Sequence, residues 1–340
     1  MTSADLDVLT LGMMMGEVAP PRAGAGFGDG RGLVLFPSGS MTIFALALAR
    51  LGSRVGLLSR VGDDDLGRWM RERVEDAGID TAGVATVAGQ LTPLALASVD
   101  TRGNKSFSYY RFAGISDPLA TLRAADVPDA ALFRARIFDF GEASLRSPLM
   151  RAETLLLVQR ARDLGLAVCY TPNYRASAWS GGAIEAAAVQ RQALALADVV
   201  LMNAEESELL SGCSDPNGAA HRIAALGPSV IVITSGSHGA IVASDGALTA
   251  IPAVPVDVVF DIGAGDSFHA GFLTMWRPGG DLIAAARFAA HAAALKIGRE
   301  PRPELLPTRD EVVTAMEKAG AGGSQSSRPS EFPEPPIHRF

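Results

Sequence analysis

Cysteine is scarce. The 340 residues hold two, Cys169 and Cys213, and neither belongs to a CxxC pair or lies beside histidines at zinc-ligand spacing. A disulfide scaffold and a structural zinc site are thereby excluded, and reduced thiols fit a cytoplasmic setting. Basic runs are missing too: 30 Lys and Arg stand against 37 Asp and Glu, a formal net charge of −7, and the pI is near 5.3. Such a chain lacks the phosphate-neutralising footprint of a nucleic-acid binder, so nucleic acid is not an expected partner. No run of about 18 apolar residues occurs, and the first residues show no basic segment leading into an apolar one, so neither a membrane span nor a secretory leader is expected. Two phosphate motifs are absent: there is no GxxxxGK[ST] loop and no true GxGxxG, even in the glycine-rich stretch from Gly24 to Gly32. Walker-type NTPases and dinucleotide oxidoreductases lose support accordingly. No repeat of 20 to 50 residues is found, which removes a solenoid.

What the chain has is apolar material in the right rhythm. Hydrophobic residues make up 48% and mean hydropathy is +0.20, enough for a large buried core. Short β-branched runs begin at Asp7, Val55, Arg136, Leu166, Asp198 and Ser229. They alternate with helical patterns at Met41 to Leu51, Leu66 to Ala77, Ser147 to Leu164, Ala183 to Leu196 and Ser267 to Trp276. This alternation predicts an α/β fold with a mostly parallel sheet buried on both faces by helices. Thr308, with Glu311 three residues on, predicts a capping box for the last helix. Two stretches break the rhythm: a glycine-rich segment at about 13–37, and two strand-like runs within about 86–112 joined by a turn at Asp100-Thr-Arg-Gly-Asn. Together they predict a small β-rich lid on one domain spanning 1–319. Residues 320–340, rich in Gly, Ser and Pro without apolar period, are expected to be a disordered tail.

The sharpest chemical signal is Gly263-Ala-Gly-Asp266-Ser-Phe-His-Ala-Gly271. A glycine turn opening a helix aims backbone N–H groups and the positive end of the helix dipole at one point, which suits a phosphate or an anionic transition state. Asp266 at that point could serve as general base for an attacking hydroxyl, or could simply N-cap the helix.

With its surroundings this segment resembles the ribokinase/PfkB carbohydrate kinase family. GAGDSFHAGFL (263–273) is similar to the C-terminal signature of that family, and SGSMTIFALALARLG (38–52) followed by VGLLSRVGDDDLGRWM (55–70) to the N-terminal one. TPNYRASAW (171–179) resembles its D-x-N-x-R segment, LMNAEESELL (201–210) its N-x-x-E motif, and VIVITSGSHGAIV (230–242) the strand-turn-strand beside the nucleotide. The resemblance implies a ribokinase-like three-layer α/β/α sandwich and a kinase using ATP and Mg²⁺. Gly263, Ala264 and Gly265 would form the anion hole and Asp266 the base. Asn203 and Glu206 would organise Mg²⁺ through water, and Thr234, Gly236, Gly239 and His291 would lie near the nucleotide. Gly39 would admit the sugar closely to the backbone. Tyr109, Arg111, Asn173 and Arg175 resemble the pattern of 2-keto-3-deoxygluconate kinases, whose substrate carboxylate two arginines could bind. The same arginines could instead pair with acids such as Asp117.

Departures from the family pattern cluster at the substrate end. Phe260-Asp261 replaces the usual D-T before the glycines, Ser38 stands where a second glycine is common, Ile43 where a sugar-binding Asn is common, and Thr171 where Asp opens its motif. A sugar-acid kinase, a fructokinase and a catalytically weak sugar- or nucleotide-binding relative therefore all stay open. The expected partner is a small sugar or sugar acid, with a homodimer through the lid left open.

Overall fold

Strand pairing in this chain follows from where apolar residues run without interruption. The computed structural model describes residues 4–20, 24–27, 32–99, 105–110, 117–300 and 305–322. The main sheet is built from β1 (Leu6–Leu11), β4 (Val55–Gly62), β5 (Val84–Val87), β8 (Ala135–Gly141), β9 (Ala167–Thr171), β10 (Val199–Asn203), β11 (Val230–Thr234), β12 (Ala240–Ser244) and β13 (Ala247–Ile251). The order is β13-β12-β11-β10-β9-β8-β1-β4-β5. All neighbours from β11 to β5 run parallel, and only β12 and β13 turn back as an antiparallel edge.

Alternation along the strands divides the core between two faces. On β1, Leu6, Leu9 and Leu11 join one apolar cluster while Val8 joins the other; on β8, Phe138 and Phe140 oppose Ile137 in the same way. The first cluster is covered by α4 (Pro148–Asp163), α5 (Gly182–Leu194), α6 (Ala204–Ser211) and α7 (Pro216–Ala224), the second by α1 (Ser40–Arg50), α2 (Asp65–Asp76), α8 (Ala264–Met275), α9 (Leu282–Ile297) and α10 (Arg309–Gly322). A short α3 (Asp129–Leu132) precedes β8. The expected three-layer sandwich is thus present. In α8 and α9, contact is made through small residues: a Cβ on Gly271 would stand 2.8 Å from Ala289 Cα.

A second, four-stranded sheet rises from the first in the order β3-β2-β6-β7, with β2 (Met15–Ala19), β3 (Val34–Ser38), β6 (Leu94–Val99) and β7 (Lys105–Tyr110). It is the expected lid, and its strands come from the two segments that interrupt the α/β rhythm. Thr308 and Glu311 form the expected capping box at the head of α10. That helix continues to Gly322, and the remainder of the expected tail lies outside the described residues. No helix among the described residues is long and apolar enough to cross a membrane.

Candidate active site

The carboxyl ends of the parallel strands and the lid enclose a cavity of about 660 Å³, the place where open α/β sheets bind ligands. Into it come the loop after β1, the loop after β9, the ends of β10 and β11, the start of α8, and lid strands β2 and β7.

Gly263 is the N-cap of α8, with φ 80° and ψ 12°, a left-handed conformation that a side chain would strain. Its carbonyl accepts from Ser267 N–H at 3.0 Å, and Ala264 N–H turns back to the Asp261 carbonyl at 3.2 Å. The N–H groups of Gly265 and Asp266 are then the ones that helix geometry leaves without an intrahelical acceptor. Asp266 occupies the third helical position, and its side chain makes no capping bond, so the N-cap reading of this residue fails. Burial raises its carboxyl to about 6, against the pull of the Arg175 and Lys296 charges. A carboxylate with that value, facing the cavity, is suited to take a proton near neutral pH.

The cavity wall also contains Gly39, Tyr109, Asn173, Arg175, Asn203, Glu206 and Thr234, so most residues singled out from the sequence converge. Gly39, at φ 96°, lies so close to the loop after β1 that an added Cβ would sit 2.1 Å from the Met13 carbonyl oxygen. Asn173 is left-handed at φ 44°. Arg175 donates to the Tyr174 carbonyl at 3.1 Å and forms no salt bridge among the described residues. Asn203 and Glu206 make a reciprocal capping box at the start of α6: Glu206 N–H donates to Asn203 Oδ1 at 2.8 Å, and Asn203 N–H to Glu206 Oε2 at 2.9 Å. Tyr174 N–H occupies the other Glu206 oxygen at 2.8 Å. Burial raises the Glu206 carboxyl to about 7, although those two amides pull the other way.

Three described positions named for the nucleotide are not in the cavity wall. Gly236 and Gly239 form the left-handed turn between β11 and β12, just beyond Thr234. His291 on α9 bonds through Nδ1 with the Arg287 carbonyl at 2.9 Å. Arg111 lies outside the described residues.

Further groups lie in and under the cavity, and of these Glu142, Arg146, Glu17, Phe107 and Asp139 were not anticipated. Glu142, fully buried at the end of β8, takes Arg146 Nη2 at 2.5 Å and Nε at 3.0 Å on one oxygen, and Trp179 Nε1 and the Arg175 N–H on the other. The i,i+4 spacing of Glu142 and Arg146 was the available signal. Glu17 on β2 accepts from Ser38 Oγ at 2.7 Å, and burial raises its carboxyl. Phe107 and Tyr109 stack on β7, centroids 6.2 Å apart. His269 reaches the cavity from α8 and is held neutral by burial, down to about 4. Beneath Asp266, Asp139 on β8 is wholly buried: one oxygen accepts from Thr10 Oγ1 at 2.8 Å, and burial raises its carboxyl to about 7 against the pull of Thr10 and the Cys169 thiol.

One family matches most of the chain: the profile described as pfkB family carbohydrate kinase covers residues 22–308. The chain belongs to that family. Fructokinase-1 of Oryza sativa subsp. japonica is 28% identical over 320 residues, 92% of this kinase and 98% of the rice protein. The 5-dehydro-2-deoxygluconokinase of Photobacterium profundum is 25% identical over 319 residues, 92% of this kinase and 95% of that one. A crystal structure of a PfkB protein from Polaromonas sp. JS666 superposes with TM-score 0.80 at 26% identity, covering 91% of this kinase and 99% of that chain. This carbohydrate kinase therefore shares fold and phosphotransfer class with enzymes named for different sugars.

Proposed function

We propose that the kinase transfers the γ-phosphoryl group of Mg-ATP to a hydroxyl of a sugar acid, with 2-keto-3-deoxygluconate as the leading substrate. The observation that carries the reading is the convergence of Asp266, the start of α8 and the Arg175 guanidinium on one cavity. The sugar lies between the lid aromatics and Gly39, and presents its hydroxyl to Asp266. The carboxylate takes the proton as the oxygen bonds to the γ-phosphorus. The bond from that phosphorus to the β,γ-bridging oxygen breaks, and ADP leaves. Positioning and charge neutralisation dominate such transfers, and the turn at Gly263 to Gly265, through the open amides of Gly265 and Asp266 and the dipole of α8, meets the transferring group.

Mg²⁺ comes with the nucleotide. No cluster of three or more His, Cys, Asp or Glu side chains that could hold an ion occurs among the described residues, and both Glu206 oxygens hold amides. Asn203 and Glu206 fit an ion approached through water, since Mg²⁺ keeps several of its own. Thr234 in the cavity wall, with Gly236, Gly239 and His291 beyond it, is assigned to the nucleotide side.

Fructose is the second reading, favoured by the hydrogen-bonded polar pair Glu17 and Ser38 in the same wall, which could take sugar hydroxyls. The deciding assay is ADP release with Mg-ATP over 2-keto-3-deoxygluconate, related sugar acids, fructose and ribose, repeated for Asp266→Asn and Arg111→Ala. Preference for the sugar acid that Arg111→Ala abolishes supports the proposal. Preference for fructose, indifferent to Arg111, replaces it with the second reading. Ligand binding without ADP from any substrate points to a sugar- or nucleotide-binding role.

A further inference from the structure

Lysine is rarely found inside a protein unless something holds its charge. Lys296, in the last turn of α9, is 7% exposed. Its ammonium donates to the Phe260 carbonyl at 3.1 Å and to the Ile262 carbonyl, and lies 4.9 Å from the centroid of the Phe260 ring. Two backbone oxygens and an aromatic face are what a monovalent cation stripped of water accepts from a protein.

The location gives this cage a purpose. Residues 260–262 are the final approach to Gly263, and a Cβ on Gly263 would stand 3.7 Å from Lys296 Nζ. The same strap is tied to α9 a second time, by the N–H groups of Val259 and Phe260, which donate to the Ile297 carbonyl at 2.8 and 3.0 Å. The carboxyl end of α9 thus holds the strap by its amides and its side chain holds it by its carbonyls. The negative end of that helix also favours a cation there. On the other side of the turn, the charge of Lys296 acts on Asp266. Phe260 is one of the positions that depart from the family pattern, and its ring faces the ammonium.

We infer that Lys296 is a built-in cation for the anion hole. It is a positioning residue: it holds the 260–262 strap so that the amides at the start of α8 point into the cavity, and it adds a fixed positive charge behind the transferring phosphoryl group. The kinase consequently needs no monovalent cation from solution. This rests on the kinase reading given above.

The test compares the full-length wild type with Lys296→Ala and Lys296→Met in choline, potassium and methylammonium chlorides at equal ionic strength. Wild-type ADP formation is expected to be the same in all three salts. Lys296→Ala should fall about a hundredfold in choline, the size of effect seen when one preorganised donor is lost, and regain tenfold or more in methylammonium. Lys296→Met, whose side chain fills the space, should fall without regaining activity. Its residual rate should show an acid limb at higher pH than the wild type, a change that a purely structural role would not produce. Calorimetric binding of Mg-AMPPNP supplies a readout without turnover, weakened in Lys296→Ala and restored by methylammonium. A wild type that depends on potassium, or a Lys296→Met enzyme at the wild-type rate across pH, overturns the inference while leaving the kinase reading intact. Nucleotide binding that methylammonium restores in Lys296→Ala, beside a wild type that forms no ADP with any sugar, overturns the kinase reading and leaves the Lys296 cage standing.

Discussion

Replacing Asp139 by Asn should stabilise this protein in alkaline buffer and much less so in acid. Asp139 is wholly buried on β8, accepts a hydrogen bond from Thr10 Oγ1, and is raised from 3.8 to about 7 by burial and the nearby Asp266 charge, against the pull of Thr10 and the Cys169 thiol. An acid whose folded value lies above its unfolded value costs nothing below the unfolded value. The cost grows as pH rises between the two and is complete above the folded value. At about 1.4 kcal/mol per pH unit, an interval of roughly three units amounts to about 4 kcal/mol at pH 8.5, falling to about 1.5 kcal/mol at pH 5. Asparagine has the same shape and never ionises. Urea unfolding of both proteins at the two pH values, compared as a difference, cancels the titrating groups that do not act on Asp139, while the Asp266 charge, which also raises Asp139, works in the same direction. Asp139→Asn should gain about 2 to 3 kcal/mol on the wild type between pH 5 and 8.5. An equal difference at both pH values, or a loss confined to high pH, would refute the argument and mean that Asp139 is ionised and held by a partner.

Two further outcomes follow from the cavity. Asp266→Asn should lower the rate of ADP formation by about 10²- to 10⁴-fold, and the wild-type rate should rise with pH through about 6 as the Asp266 carboxyl ionises; a pH profile flat from 5 to 8 would remove it as the base. Glu142→Ala leaves the Arg146 guanidinium and the Trp179 indole N–H without their buried acceptor, and should cost about 3–5 kcal/mol in urea unfolding, a loss that a near-neutral result would contradict.

The division between what could be read in advance and what could not follows the range of the forces involved. The parallel strands, the helices between them and the turn into α8 are specified by neighbours a few residues apart, through apolar period and glycine spacing, and these were legible. So was the lid, because β6 and β7 alternate around a turn, although β2 and β3 were seen only as a glycine-rich interruption. Asp139, Glu17, Glu142 and Lys296 carry no local signal of comparable strength. Each is a charged residue in an apolar or unremarkable context, and its role depends on a partner far along the chain: Thr10 for Asp139, Ser38 for Glu17, Trp179 for Glu142, Phe260 for Lys296. The Asn203 and Glu206 pair lies between these cases, since its spacing announces a capping box and its place at the end of β10 brings it to the cavity.

The same contrast explains why phosphate chemistry is easier to assign here than the sugar. On the function proposed above, backbone amides at a helix start meet the phosphate at one end of the cavity, and glycine spacing encodes them. At the other end the proposal gives recognition of the sugar to side chains from the lid and the loop after β9. Arg175 is where the two ends meet, because it lines the cavity and also acts electrostatically on Asp266. Arg175→Gln separates these roles. If the guanidinium binds a substrate carboxylate, losing a charge-assisted bond of about 1.5–3 kcal/mol should raise KM for a sugar acid by roughly 10- to 150-fold and leave KM for a neutral sugar unchanged. If it serves only to hold the Asp266 carboxyl down, the acid limb of the pH profile should move upward by the same amount for every substrate while KM stays put. A shift of KM confined to sugar acids would assign the residue to recognition, and a shift of the limb alone would leave the carboxylate without its partner and favour fructose.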